Sequence, residues 1–392
     1  MRCTVSWLQS YATELLESWR EQGLKRNPAT FTGGQDPVSV IDGEELVLFS
    51  SSNYLGLASH PVVLSAARDA LTTHGVGSGG SRLTTGTTVE HHLVEQAFAE
   101  FLGYPDAVFL ASGFHANIAV IQTLAGPGTV VLSDARNHAS IIDGCRLAKA
   151  QGARVRVYPH RDIGALERML VEHRGERCLV VTDGLFSMDG TLAPLPELTA
   201  VCRAHGAALV VDDAHGTATL GRHGRGIVEH FGMEDCPPDV LVATASKALG
   251  AEGGAVAAAP EVTRLLRQKA RPFVYSTAPS PAVCAGVTAA VGVVRGPDSP
   301  LAALHANIAE LSARLGLGTW PSPIIPIAVG EETDAVEASV QLRRQGFFVP
   351  AIRWPTVARG AAMLRVTVMA THTPEHIDAL STALERLGLP RR

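Results

Sequence analysis

The sequence has no excess of basic residues, no paired cysteines and no apolar run long enough to span a bilayer. Its 33 Lys and Arg stand against 38 Asp and Glu, a formal net charge of −5, and the basic residues are scattered rather than clustered. It therefore lacks the electrostatic footprint of a nucleic-acid binder. The six cysteines, Cys3, Cys145, Cys178, Cys202, Cys236 and Cys284, lie far apart with no Cys-x-x-Cys pair. That spacing argues against a disulfide frame and against a zinc site, and predicts reduced thiols and no metal. The stretch Val283 to Val294 is apolar but too short and too rich in Gly and Ala to cross a membrane. Residues 1–19 carry polar and acidic side chains at helical spacing, the wrong pattern for a signal peptide. The expectation is a soluble cytoplasmic protein. Internal repeats and low-complexity tracts are also missing. What remains is a chain of 392 residues, 46% hydrophobic and 18% charged, able to bury a large core in two or three domains.

Residues 4–24 set Leu8, Tyr11, Leu15, Leu16 and Trp19 at helical spacing. This predicts an amphipathic helix whose apolar face must be covered by its own body or by a partner subunit. Val38–Val40 and Leu46–Phe49, around a turn at Asp42-Gly43, predict a short β structure. From about residue 60 to 285, strand and helix patterns alternate. Seven strands are expected over 107–111, 129–133, 154–157, 178–182, 208–212, 240–244 and 254–258. Helices fall between most of them, for instance over 114–124, 139–150 and 195–205. Continuous apolar strands separated by helices imply an α/β fold with a mostly parallel sheet covered on both faces. Ligand groups then belong at the carboxyl ends of the strands. After Gly296-Pro297-Asp298-Ser299-Pro300 the pattern shifts to helix 301–315, strand 324–329, helix 335–345, strands 347–349 and 364–367, and a last helix over 374–387. The division expected is an N-terminal helix and β arm over 1–55, a large domain over 56–290 and a small α+β domain over 291–392.

The chemistry concentrates in two segments. Lys247 follows the strand-like run Val240-Leu241-Val242-Ala243 and sits among small residues, in Thr244-Ala245-Ser246-Lys247-Ala248-Leu249-Gly250. A lysine there can approach an aldehyde closely, and apolar surroundings disfavour its ammonium form, which is the condition for Schiff-base chemistry. Upstream, Val210-Val211-Asp212-Asp213-Ala214-His215-Gly216 ends a buried strand in acids and a histidine. A carboxylate at a buried strand end needs a cationic or hydrogen-bonded partner. Either acid alone could equally cap the next element. With Lys247 in place, the pair matches the needs of pyridoxal phosphate (PLP), an acid to keep the pyridine nitrogen protonated and an amine to carry the aldehyde. His215, three residues on, is a candidate donor to the cofactor phenolate oxygen, although a lone histidine in a turn is more often structural and gains weight only from this company.

Weaker signals gain weight in this company. Ser112-Gly113-Phe114-His115-Ala116-Asn117 joins a strand to a helix, and amides at a helix start suit a phosphate. His138 lies just past the next strand, where an imidazole can stack on a flat ring. Gly75 to Gly86 holds five glycines in the frame Gly75-Val-Gly77-Ser-Gly79-Gly80-Ser81-Arg82-Leu-Thr-Thr-Gly86, without the Gly-Lys-Ser/Thr of a nucleotide loop. A tight turn near the active site or a subunit contact fits it better. Arg353, in Ala-Ile-Arg-Trp-Pro-Thr, carries the fork-shaped guanidinium suited to an amino-acid carboxylate.

Taken in order, SSSNYLGLASHP, GSGGSRLTTG, ASGFHAN, SDARNHASIIDG, VTDGLFSMDGTLAPL, VDDAHGTATLGRHGRG, TASKALGAEGGAV, RPFVYST and AIRWPTVARGAAMLRVT resemble the α-oxoamine synthases, a branch of the fold-type I PLP-dependent transferases. The likeness runs from about Gly23 to Leu387. It implies a homodimer with PLP at the interface. It implies that Lys247 holds the cofactor and moves the Cα proton, that Asp212 binds the pyridine nitrogen, and that His138 stacks on the ring. His215 and Ser187 then lie near the phenolate oxygen or the substrate. Gly113 and Phe114 give backbone donors to the phosphate beside Ser112, Thr244 adds a hydroxyl, and Ser276 and Thr277 reach it from the neighbouring subunit. Arg353 binds the substrate carboxylate.

Within the family, Ala-Ile-Arg-x-Pro-Thr-Val resembles the 8-amino-7-oxononanoate synthases of biotin biosynthesis. That likeness implies L-alanine and a pimeloyl thioester, on CoA or acyl carrier protein, as substrates. The alternatives are glycine C-acetyltransferase, another acyl thioester, or a catalytically silent partner subunit. Retention of Lys247, Asp212, His138 and His215 speaks against the silent subunit, and GSGGSRLTTG with AIRWPTV against an ordinary aminotransferase. The sequence departs from the family pattern at Ser52, which replaces an asparagine expected at the substrate, at Asp183 for glutamate, and at Trp354 and Ala358 for prolines. The basic residue expected for the acyl chain is Lys25 or Arg26.

Overall fold

The computed structural model describes residues 6–25 and 27–388. Arg26, one of the two residues expected at the acyl chain, lies outside them, as does Cys3. The framework is a seven-stranded sheet built from β4 (Asp106–Leu110), β5 (Thr129–Asp134), β6 (Arg154–Tyr158), β7 (Arg177–Asp183), β8 (Ala208–Asp212), β9 (Val240–Thr244) and β10 (Gly254–Ala258). The remaining strands are β1 (Phe31–Thr32), β2 (Val38–Ile41), β3 (Glu44–Leu48), β11 (Ile324–Gly330), β12 (Phe347–Phe348), β13 (Ala351–Ile352) and β14 (Ala362–Thr367). The large sheet runs in the order β4-β10-β9-β8-β7-β5-β6. Strands β9, β8, β7, β5 and β6 pair in parallel, and β10 is antiparallel to both its neighbours.

The aliphatic runs make these strands because both faces are buried. Val130 and Leu132 pack into one apolar cluster and Val131 into the other. Val211 and Leu241 likewise face the first cluster, and Val210, Val240 and Val242 the second. Alternation of side chains along a strand places successive residues on opposite faces, so a run with no polar position must be covered twice. The first five helices are α1 (Trp7–Glu21), α2 (Pro61–His74), α3 (Val89–Leu102), α4 (Gly113–Leu124) and α5 (Ala139–Ala150). Helices α4 and α5 pack together on the second cluster, and the helix Pro281–Arg295 packs on α2 and α3.

Two smaller sheets complete the molecule. Strands β11, β14 and β13 form one, in the C-terminal region. The other is β1-β2-β3-β12, in which Phe347 and Phe348 pair in parallel with Val47 and Leu48. Phe347 and Phe348, read from the sequence as part of the small domain, are thus bonded to the N-terminal arm. Helix α1 buries none of its residues; Trp7 is 76% exposed and Leu16 72%. Among the described residues, no helix is long and apolar enough to cross a membrane.

Candidate active site

The carboxyl ends of β5, β7, β8 and β9, with the turn after β4, converge on a cavity of about 220 Å³. Its wall contains Ser112, Gly113, Phe114, His138, Ser187, Asp212, His215, Thr244 and Lys247 from the sequence reading. Asn117, Ser140, Asp183, Leu185, Ala214 and Ser246 join them.

Lys247 follows β9 and makes no ion pair with a described residue. Burial disfavours its ammonium form, Asp212 and Asp183 oppose that effect, and Arg365 adds to it. Asp212 ends β8 and is held at both oxygens. Its Oδ2 accepts from Asn117 Nδ2 at 2.6 Å and its Oδ1 from Ala214 N at 3.0 Å. Asp183 ends β7 directly beside it in the strand register. One oxygen of Asp183 accepts from His138 N, and the other is buried without a partner. Burial and the neighbouring Asp212 push the Asp183 carboxyl well above the usual carboxylate range. Asp213 belongs elsewhere. It is fully buried, takes Ile227 N at 3.0 Å, and has Gly216 and Gly226 pressed against its carboxyl group. The capping duty open to either acid in the sequence thus falls to Asp213, which organises the following loop.

His138 is the N-cap of α5, with Nδ1 accepting from Ser140 N at 3.3 Å and lying 2.8 Å from Ser140 Oγ. Asn117 Nδ2 donates to that same Ser140 Oγ at 2.8 Å. One amide thus ties His138 and Asp212 into a single network. Burial lowers the His138 pKa, Asp212 resists and Lys247 reinforces. His215 lies 2.8 Å, through Nδ1, from the hydroxyl of the fully buried Tyr54. Burial, with Lys247, Arg365 and His138 nearby, holds His215 well below its ordinary pKa. Both shifts favour the neutral imidazole, which donates from one nitrogen.

At the far end, Ser112 caps α4 through His115 N at 3.1 Å. The first amides of a helix have no intrahelical acceptor, so Gly113 and Phe114 present N–H groups where an anion is favoured. A Cβ on Gly113 would come within 3.2 Å of Thr244, so the backbone must approach the strand end here. A half-buried amine, a doubly held carboxylate, two imidazoles and a helix start around one small cavity fit PLP. The unpartnered Asp183 oxygen is a further polar group that a ligand would satisfy.

Several expected residues lie apart. Arg353 donates to Gly23 O and lines a different cavity of about 560 Å³ with Leu24, Trp354 and Arg359. It follows β13, the edge strand of the small sheet, which turns it toward the end of α1. Ser52 is half-buried in the turn that positions Tyr54 and is not part of the lysine cavity. Ser276 and Thr277 lie in a segment bonded to the glycine-rich loop. Thr277 bridges Ser81, and Ala278 N donates to Gly80 O at 2.9 Å. Neither Ser276 nor Thr277 lines the cavity of its own chain.

Arg365 was not singled out in the sequence. It lies on β14, only 8% exposed, with Nε donating to Ser187 O at 2.6 Å. Among the described residues no carboxylate pairs with it, and it is close enough to Lys247 and His215 to lower both their pKa values. The signal was available: an arginine inside the apolar strand Ala-Met-Leu-Arg-Val-Thr is a cation that needs a partner.

The aminotransferase class I and II family matches residues 44–384. The chain is 45% identical over 420 residues to the biotin biosynthesis bifunctional protein BioWF of Corynebacterium kroppenstedtii, covering 97% of this chain and 58% of that one. It therefore spans little more than half the length of that relative. It is 45% identical to the 8-amino-7-oxononanoate synthase of Geobacter sulfurreducens, over 95% of this chain and 96% of that one. A solved structure of SPT with a PLP internal aldimine superposes with a TM-score of 0.91 at 30% identity, covering 98% of each chain.

Proposed function

Since the chain belongs to the aminotransferase class I and II family, in its α-oxoamine synthase branch, and has the fold of the fold-type I PLP-dependent transferases, we propose that it condenses L-alanine with a pimeloyl thioester, on CoA or acyl carrier protein, releasing CO2 and giving 8-amino-7-oxononanoate. The observation that carries this reading is the pairing of Lys247 and Asp212 in one cavity beside a helix start.

Bound PLP supplies an aldehyde carbon and an electron-withdrawing ring that acidifies the Cα proton of an amino acid. The chain's own groups do the rest. Gly113 and Phe114 amides, with the Ser112 and Thr244 hydroxyls, receive the phosphate. Asp212, fixed by Asn117 and Ala214 N, holds a proton on the pyridine nitrogen. His138 would bear on the ring, and His215 would donate to the phenolate oxygen with its outer nitrogen, the inner one being engaged by Tyr54. Lys247 is the amine that holds the cofactor and then moves the Cα proton as general base. Arg365, buried without a carboxylate partner, takes the substrate carboxylate in place of Arg353. The free N–H of His138 donates to the oxyanion that develops when the thioester carbonyl is attacked, before the thiol departs.

The test is direct competition of L-alanine against glycine and of pimeloyl-CoA against acetyl-CoA. Preferential formation of 8-amino-7-oxononanoate is expected. Preference for glycine with acetyl-CoA moves the chain to the glycine C-acetyltransferase reading and leaves the roles of Lys247 and Asp212 standing.

We further propose a homodimer with sites shared between chains. The exposed apolar face of α1, and the exposed Val76 and Tyr275 beside the coupled glycine-rich and 275–280 segments, support it. Thr277 then serves the partner's cofactor phosphate. Mixing inactive Lys247→Ala with an inactive Thr277→Ala variant should restore part of the activity, because one mixed site has both residues intact. A fully active monomer in sedimentation sinks this arrangement.

A further inference from the structure

Helices α4 and α5 pack closely beside the lysine cavity because Gly144 stands at their contact. A Cβ there would come within 3.1 Å of the Ile121 side chain and 3.4 Å of Asn117 O. The approach seats Asn117, from α4, against Ser140, in the first turn of α5. Both side chains are buried, Ser140 completely.

The hydrogens of this pair are placed by one neighbour. A carboxylate oxygen accepts, so the atom 2.6 Å from Asp212 Oδ2 is the Asn117 amide nitrogen. The reversed amide would set two acceptors against each other. It would also turn the NH2 group to the position of Oδ1, which is buried without a partner. The second hydrogen of the NH2 group therefore goes to Ser140 Oγ at 2.8 Å. Ser140 Oγ receives that hydrogen and has one of its own to give. Its remaining polar neighbour among the described residues is His138 Nδ1, at 2.8 Å. The backbone N–H of Ser140 converges on the same nitrogen at 3.3 Å. A ring nitrogen that accepts carries no proton, so the neutral imidazole holds its single hydrogen on the other nitrogen. The hydrogen bonds of the His138 ring with described residues fall on Nδ1, which leaves Nε2 as the free donor.

We propose that Asn117 and Ser140 are positioning residues for His138, carrying the orientation set by the Asp212 carboxylate through an amide and a hydroxyl to keep the imidazole hydrogen on Nε2. The inference rests on the condensation proposed above, in which that N–H meets the developing oxyanion. It gives Asp212 a second duty, exercised through two side chains rather than through the cofactor ring. The other tautomer would turn a lone pair toward the oxyanion and lose the donor.

The test reads the two ring nitrogens directly. Full-length protein carrying isotope-labelled histidine is studied by long-range proton–nitrogen correlation NMR, both cofactor-free and loaded with PLP. The pH is set about two units above the ordinary histidine value, so that the ring is neutral. Bare and protonated ring nitrogens resonate far apart, and the His138 pair is identified by its loss in His138→Asn. Wild type should show Nδ1 bare and Nε2 protonated. Ser140→Ala removes one buried oxygen and leaves the Asn117–Asp212 contact in place. Its two His138 signals should move toward each other as both tautomers fill. Asn117→Ala should move the same signals the same way, although Asn117 does not touch the imidazole, because the released hydroxyl can then accept from Nδ1–H. The double variant should shift them no further than Ser140→Ala alone, as expected of residues acting in series. In Ser140→Ala, kcat should fall roughly 3- to 10-fold, the worth of one hydrogen bond, with KM for L-alanine unchanged. A protonated Nδ1 in the wild type overturns the proposal. So do unchanged His138 signals in either single variant, whatever its kcat, and additive shifts in the double variant. If the wild-type protein forms no 8-amino-7-oxononanoate, the proposed reaction falls, and the nitrogen signals decide the relay separately.

Discussion

Replacing Lys247 with alanine should cut condensation roughly 1,000-fold or more, because one side chain both holds the cofactor and moves the Cα proton. Wild-type protein purified with PLP should be yellow, and borohydride should fix the cofactor on the peptide containing Lys247. In Lys247→Ala the cofactor should dialyse away and borohydride should label nothing. The structural basis is that this amine lines the cavity without an ion pair and is driven toward its neutral form by burial. Asp212 and Asp183 moderate that effect, so the amine stays basic enough to accept a proton. In the cofactor-free protein Lys247 should therefore react with amine reagents at lower pH than a surface lysine. A Lys247→Ala protein that keeps the absorbance band and the borohydride label would show that another group holds the cofactor.

The centre of this site was legible because its residues end strands that announce themselves. An uninterrupted apolar run can only be a strand covered on both faces, and a polar residue at its carboxyl end then falls on the ligand side of a parallel sheet. Asp212 is placed by that logic together with Lys247, Thr244 enters only through the family likeness, and His138 lies four residues past the end of β5. Arg365 shows where it stopped. An arginine inside an apolar strand marks a cation in need of a partner, but only the pairing of β14 between β11 and β13 shows that this one is buried near Lys247. Asn117 was hidden for a similar reason. Its amide bridges Asp212 and Ser140, which are far from it and from each other in sequence. The pairing of β12 with β3 is a contact between the two ends of the chain, and periodicity carries no information about partners at that range. The loop that places Tyr54 against His215 belongs to the same class: Ser51 O accepts from Thr367 Oγ1, and Ala370 N donates to Tyr54 O.

Asp212→Ala should reduce turnover at saturating PLP roughly 100- to 1,000-fold, the scale set by removing a charge that acts on the developing carbanion. Without the carboxylate, the pyridine nitrogen loses the group that keeps it protonated, and Lys247 and His138 lose the charge that raises their pKa values. The pH at which Lys247 gives up its proton should move down, an effect visible by amine labelling of the cofactor-free protein. Asp213→Asn should do neither, because Asp213 turns away from the cavity into the loop held by Ile227 N. Asp183 complicates the single variant in an informative way. Its carboxyl is raised by burial first and by Asp212 second, so removing Asp212 lets Asp183 ionise more readily one strand away. Residual activity in Asp212→Ala should then depend on Asp183 and fall further in the Asp212→Ala/Asp183→Asn double variant. Near-normal turnover in that double variant would show that no carboxylate at the ends of β7 and β8 holds the ring proton.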